Sequence, residues 1–328
     1  MSYKPIIIIL GEPYSVFIEI FLKSYKNFIL KKYRVPIILV GSFKLLKNQM
    51  RYFGYKFKIN IIKEEDIDSI KNNNMINIID VPYKFKKIFE KDNKYSNEYI
   101  EKTFIKSIQI IKHHKILGLI NGPVSKKKFL KKKYEGITEY LAYLTSSINT
   151  SMLIYNEKFS VSPLTTHIPL KKVVKKINKS LIIKKVQLLN KFYNQKLKVK
   201  PKIAVLGLNP HCETTDDFSE ERNILSPAIK FLRNKKIRIS GPYPADTFFL
   251  KSNYIKYNLI IGMYHDQVLT PIKTLYEFNA INITVGLPFI RISPDHGPNE
   301  KMVSKGKSSN LSLIKSLKFF SKKNVIKS

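Results

Sequence analysis

Residues 5–42 read PIIIILGEPYSVFIEIFLKSYKNFILKKYRVPIILVGS, and the order of residue types there decides the fold class. Pro5 to Leu10 is an apolar run of strand length that stops at Gly11-Glu12-Pro13. An amphipathic helix is expected from about Ser15 to Lys31, and Pro36 to Val40 repeats the apolar run before closing on Gly41-Ser42. Strand, glycine turn and helix in alternation predict an α/β architecture with parallel strands.

The same grammar continues outward. Phe57 to Ile62 and Met75 to Asp80 are weaker strand candidates around an exposed stretch rich in Lys, Asn and acidic residues. Ile100, Phe104, Ile108 and Ile111 recur at helical spacing within Asn97 to His114, whose last turn carries His113 and His114 as cap or surface groups. Lys115 to Ile120 reads as a strand ending in NGPVSK, where a glycine permits close approach and Lys126 could meet an anion, a weak signal alone. Ser151 to Tyr155 and Phe159 to Leu164 predict an antiparallel pair. A helix over Asn178 to Tyr193 and a strand over Lys202 to Leu206 follow, and a last helix is expected near 308–321.

Bulk properties bound the function. At 328 residues the chain has room for two domains. No apolar stretch reaches membrane-span length, PIIIIL carries no signal-cleavage pattern, and the single Cys212 fits a reducing cytoplasm. A net charge of +35 points towards nucleic acid, yet only six basic residues are arginine (Arg34, Arg51, Arg222, Arg233, Arg238 and Arg291) and the lysines are spread end to end. Phosphate readers cluster arginine for its planar fork, so nucleic-acid binding is disfavoured and compositional bias towards Lys, Asn and Ile explains the charge. In so lysine-biased a chain, Arg291 between two strand signals is informative.

The chemistry concentrates in residues 261–297, IGMYHDQVLTPIKTLYEFNAINITVGLPFIRISPDHG. An apolar run from Tyr257 to Met263 ends in Tyr264-His265-Asp266-Gln267, as a buried strand does when it delivers polar groups to a sheet edge. A histidine beside a carboxylate suits a metal ligand with its orienting partner, or a base with its orienter. Alone, the stretch fits a capped strand with solvated charges equally well. His167, after the Phe159 to Leu164 run, and His211, in GLNPH after Lys202 to Leu206, occur in similar settings. Each singly is more readily structural; three neutral imidazoles from separate strand ends favour a divalent metal with positions left open for substrate. No HExxH helix occurs, which excludes a metalloprotease site of that kind. Thr138 and Glu139 open a helix, where free N–H groups suit an anion and equally an ordinary cap. Asp246 is either a carboxylate behind a ligand or a helix start.

Taken in order, NGPVSK at 121, GITEYLA at 136, THIPL at 166, GLNPH at 207, GPYPADT at 241, YHDQ at 264 and NITVGLPFIRISPDHG at 282 resemble the 4-hydroxythreonine-4-phosphate dehydrogenases of the vitamin B6 pathway. The resemblance implies an isocitrate/isopropylmalate dehydrogenase-like fold. That means two α/β domains (1–130 plus about 285–328, and about 131–284), mostly parallel sheets, a cleft between the domains, and a homodimer completing each site. It implies oxidation of 4-phosphooxy-L-threonine by NAD or NADP, then decarboxylation to 3-amino-2-oxopropyl phosphate, with no Rossmann GxGxxG. His167, His211 and His265 look like ligands of one divalent ion (Zn, Mg or Co), and Thr138, Lys273, Asn282 and Arg291 like substrate contacts. Asp266 and Lys273 are assigned to the chemistry itself, with Asp266 favoured as the carboxylate behind a ligand over a proton acceptor.

Three departures from the family pattern bear on activity. Ile137 stands where the pattern has a histidine, removing one polar contact at a cost on the order of 1–3 kcal/mol. Tyr14-Ser15-Val16-Phe17 replaces a glycine-rich continuation of GEP, and CETTDDFSEE after His211 lacks the usual glycines. Alternatives are therefore a paralogue oxidising threonate or erythronate 4-phosphate, and a degenerate metal-binding dimer with weak activity.

Overall fold

The computed structural model of the chain describes residues 3–71, 74–130, 133–215, 217–277, 279–294 and 297–326. The side chain of Lys126, and residues Asp216, Asp295 and His296 of the motifs above, lie outside the described set. The chain divides into two compact units, Met1–Ser147 with Leu287–Ser328, and Ile148–Gly286. The first unit thus includes 133–147, which the sequence reading assigns to the second domain.

The first unit is built on six strands: β1 (Ile6–Ile9), β2 (Ile37–Gly41), β3 (Ile59–Ile61), β4 (Ile76–Asp80), β5 (Gly118–Asn121) and β12 (Ile290–Ser293). They run in the order β3-β4-β2-β1-β5-β12, every pair parallel. The all-isoleucine β1 is central, Ile6 registering with Ile37 on one side and Gly118 on the other, and its four side chains are wholly buried. A strand covered on both faces requires a continuous apolar run rather than alternation. The turn beyond it needs Gly11, whose φ of +72° is left-handed and whose added Cβ would stand 2.6 Å from the Pro123 carbonyl oxygen. Helices α1 (Phe17–Ser24), α2 (Phe43–Tyr52), α3 (Ser96–His113), α4 (Ile137–Leu144) and α8 (Leu311–Phe320) complete the unit. Ser42 caps α2 by accepting from Leu45 N at 3.2 Å.

The second unit carries β6 (Ser151–Tyr155), β7 (Ser160–Pro163), β8 (Ile203–Leu206), β9 (Ile239–Tyr243), β10 (Leu259–Gly262) and β11 (Ile281–Val285), in the order β11-β6-β7-β10-β8-β9. β6 is antiparallel to both neighbours, as the sequence predicts for its pairing with β7, and the rest are parallel. Its helices are α5 (Lys179–Phe192), α6 (Ser226–Asn234) and α7 (His265–Tyr276). Phe159, Ile260, Val268 and Ile272 lie in the apolar core beneath α7. The segment after His265 is therefore helical, with Pro271 inside it, where the sequence shows only strand ends and polar residues. Among the described residues no helix is long and apolar enough to cross a membrane.

Candidate active site

β7, β10 and β8 lie side by side, with Leu259 registering on Ser160 and on Ile203, and all three run the same way. Their carboxyl ends therefore emerge at one edge of the sheet, the place where open α/β sheets present ligands. The chain beyond these ends carries His167, His265 and His211 respectively.

Two of the three are brought together. The rings of His167 and His265 have their centroids 5.8 Å apart, tilted by 41°. His265 is the first residue of α7, and its Nδ1 lies 2.6 Å from Asp266 Oδ1. An ionised carboxylate accepts, so the proton sits on Nδ1 and the Nε2 lone pair is left for another partner. His167 is exposed and His265 partly so. Two imidazoles sharing one ion at the usual ~2.0–2.1 Å hold their ring centres roughly 5–6 Å apart, which this pair matches. Nitrogen donors of this kind suit zinc or cobalt better than magnesium, which prefers oxygen.

The third histidine stands apart. Among the described residues no three His, Cys, Asp or Glu side chains form an ion-holding group. His211 lies in a short turn with φ +55°, followed by Cys212 at φ +62°, two consecutive non-glycine residues in the left-handed region. Each costs of order 1–3 kcal/mol, so the surroundings must enforce the turn. Glu221 does this. It is 3% exposed, and its Oε1 accepts from Leu208 N at 2.7 Å and Asn209 N at 2.9 Å. Asn209 Nδ2 donates to Glu221 Oε2 at 3.0 Å and Ser219 Oγ to the same oxygen at 3.1 Å. Burial pushes the Glu221 carboxyl up, but these hydrogen bonds outweigh it and hold the group below its ordinary value. The sequence shows Glu221 only as part of an acidic run before a helix; its role depends on a loop 12 residues upstream.

Gln267 links the ends of β10 and β8. Its Oε1 accepts from Met263 N at 2.7 Å and its Nε2 donates to Gly207 O at 2.8 Å. Gly207 is itself enforced, since a Cβ there would sit 2.5 Å from Cys212 Sγ. Lys273 is exposed in the last part of α7, and Asn282 is half-buried on β11, registered with Ile154.

A second cluster belongs to the first unit. Arg291 on β12 is 3% exposed, donating Nε to Asn121 Oδ1 at 2.7 Å and Nη1 to Thr138 Oγ1 at 3.4 Å. Thr138 is in the first turn of α4, as the GITEYLA stretch predicts. Burial pulls the Arg291 guanidinium down to about 10, with the Glu139 carboxylate acting in the opposite sense. At neutral pH the group remains a cation. Ile137, the departure from the histidine pattern, is buried at the start of the same helix. Asn121 is a partner that sequence reasoning missed; the available signal was a polar residue ending the otherwise apolar strand GLIN.

Residues 32–320 match the family described as pyridoxal phosphate biosynthetic protein PdxA. The chain belongs to this family. It is 36% identical over 315 residues to the 4-hydroxythreonine-4-phosphate dehydrogenase of Sulfurihydrogenibium sp. strain YO3AOP1, covering 94% of this chain and 95% of that one. It is also 30% identical over 324 residues to the D-threonate 4-phosphate dehydrogenase of Salmonella typhimurium, covering 97% and 98%. The crystal structure of the Klebsiella pneumoniae 4-hydroxythreonine-4-phosphate dehydrogenase superposes with a TM-score of 0.84 at 28% identity, over 98% of this chain and 99% of that one. PdxA membership accounts for the ordered motifs.

Proposed function

We propose that the chain oxidises 4-phosphooxy-L-threonine at its secondary alcohol with NAD or NADP and releases carbon dioxide, giving 3-amino-2-oxopropyl phosphate. One observation carries this reading: the His167–His265 pair, spaced for a single ion and oriented by Asp266, in a PdxA chain matched along nearly its full length. A bound divalent ion would lower the pKa of the substrate hydroxyl and polarise the resulting ketone as the carboxylate is lost. Oxidation takes the proton from the hydroxyl oxygen and a hydride from the carbon that bears it, the hydride passing to the nicotinamide. Decarboxylation then leaves its electron pair on the adjacent carbon, which takes up a proton.

The protein's own groups bind and orient. Asp266 fixes the His265 tautomer, and His211 is assigned as the third donor because Gln267 ties its strand end to that of His265. Arg291 and Thr138 are assigned to the phosphate or carboxylate of the substrate, a fixed cation beside a helix start, with Lys273 and Asn282 as further contacts. Lys273 is assigned with Asp266 to the chemistry as well. The working unit is a cytoplasmic homodimer, holding zinc or cobalt in preference to magnesium.

Ile137 supports a second reading. It presents no polar group where the resemblance leads one to expect a histidine, and the D-threonate 4-phosphate dehydrogenase match covers 97% of the chain. Oxidation of threonate or erythronate 4-phosphate is then the activity. Incubating metal-loaded protein with each phosphorylated acid and NAD, beside a His265→Ala control, decides between them. NADH formed with 4-phosphooxy-L-threonine and lost in the control supports the first reading; turnover of the sugar acids alone supports the second; none with either sinks both.

A further inference from the structure

A cavity of about 330 Å³ opens in the second unit beside β9, the last strand of its sheet. Tyr243 and Pro244 at the end of that strand line it, with Phe248, Asn253, Lys256 and Tyr257. The ring centroids of Tyr243 and Phe248 are 5.2 Å apart, those of Phe248 and Tyr257 5.4 Å, and those of Tyr243 and Tyr257 5.9 Å. Phe248 and Tyr257 belong to the apolar core and Tyr243 packs against it, so this aromatic wall is held from behind. Asn253 Nδ2 donates to Thr247 O at 3.1 Å and ties together the two helical turns, Ala245–Phe248 and Lys251–Tyr254, that carry the remaining lining. Ser240 Oγ donates to the Tyr257 hydroxyl at 3.1 Å, and the Tyr243 and Tyr257 hydroxyls share a bond of 2.8 Å. Three hydroxyl protons thus serve two bonds, leaving one phenol proton for a further acceptor. Among the described lining residues Lys256, exposed at the rim, is the charged one, and it is a cation.

We propose that this cavity binds a small planar ring carrying an anionic oxygen group, the ring against the Tyr243–Phe248–Tyr257 wall and the oxygens between the Lys256 ammonium and the phenol pair. Ligand pockets combine apolar walls with a few placed polar groups and start at roughly 300 Å³, enough for one ring and its substituent. Aromatic side chains favour a flat partner, and an ammonium beside a hydroxyl donor favours phosphate or carboxylate. Two sources share that chemistry: the adenylate part of a nicotinamide cofactor, and a free pyridine phosphate. No lining residue is among those assigned to the oxidation above, so the inference stands apart from that reading.

The test is equilibrium dialysis of the full-length protein against AMP, pyridoxine 5′-phosphate or inorganic phosphate. A salt concentration of about 0.3 M screens the scattered surface lysines. At least one ring phosphate is expected to bind about tenfold or more tightly than inorganic phosphate, because only the ring gains from the aromatic wall. Lys256→Gln should weaken that binding by about tenfold. Tyr243→Phe, which keeps the ring and deletes the hydroxyl, should weaken it by a smaller factor. Thr247→Phe, which fills the cavity from its exposed side, should abolish it, and Lys256→Gln serves if that variant does not fold. Displacement of bound AMP by NAD identifies the cofactor's adenylate as the ligand; pyridoxine 5′-phosphate retained in the presence of NAD identifies a free pyridine phosphate. Binding should persist in His265→Ala, whatever that variant does to turnover. Ring phosphates held no more tightly than inorganic phosphate, or held equally well by wild type and Lys256→Gln, overturn the proposal.

Discussion

Arg291 and Asn121 lie on neighbouring parallel strands and share a buried hydrogen bond, Nε to Oδ1, of 2.7 Å. The orientation of the amide is fixed from its other end, where Asn121 Nδ2 donates to Gly122 O at 2.9 Å. Strand β5 thus delivers an acceptor, not a donor, to the guanidinium. Asn121→Ala leaves a buried, charged N–H without an acceptor, at a cost of about 1–3 kcal/mol. A lower urea midpoint with unchanged slope, and a higher KM for the phosphorylated substrate, are the expected results; a variant as stable as wild type would show that the bond contributes nothing.

In the metal site proposed above, Asp266 acts through His265, so its removal should weaken ion binding without abolishing it. Asp266→Asn keeps the size but turns a charged acceptor into a neutral amide. Ion affinity is expected to fall by about 10- to 100-fold, whereas His265→Ala, which deletes a donor, falls further. Competition against a chromophoric chelator measures both, and equal losses would contradict the division of roles between ligand and orienting carboxylate.

Glu221 makes stability depend on acidity. Its folded-state value lies below the ordinary 4.5, so the unfolded chain binds the proton more readily. The carboxylate's contribution is fully present above 4.5 and is lost as pH falls through the lower folded value. Glu221→Gln should flatten the acid limb of a stability-versus-pH curve. Glu221→Ala, which leaves the Leu208 and Asn209 amides without their acceptor, should destabilise at neutral pH by about 2–4 kcal/mol.

Gly207 and Cys212 offer a paired test. Gly207→Ala drives a Cβ to 2.5 Å from Cys212 Sγ and should cost about 1–3 kcal/mol by crowding. Trimming the sulfur with Cys212→Ala removes that atom, so the double variant should recover most of the loss. Additive losses in the two-variant cycle would place the strain elsewhere, in particular against Glu221 Oε1, 3.2 Å from the same Cβ.

Continuous apolar runs are local signals, closed by glycine in β1, β2 and β8 and by polar residues in β10, and they made these strands legible from sequence alone. The antiparallel pair β6–β7 was equally legible, since only a few residues separate the two runs. Helix α7 was not: Pro271 interrupts its pattern, and its first turn carries the polar residues that suggest a strand end. His167 and His265 could be named because each follows an apolar run, but their spacing depends on β7 and β10 being neighbours, which no local pattern states. Asn121 and Glu221 are the opposite case. Each is a polar residue whose importance comes from a partner distant in the chain, which leaves no mark on sequence periodicity.

The two hydrogen bonds of Gln267, one accepted from Met263 and one donated to Gly207, work as a ruler. They fix two starting points, from which the chain counts four residues to His211 and two to His265. Adding or deleting a residue in either count would shift that histidine relative to its strand end while leaving sheet and core intact. The two loops are consequently free to change composition, but not length on the histidine side of the clamp. Drift in this chain can erode what surrounds the donors more readily than where they begin.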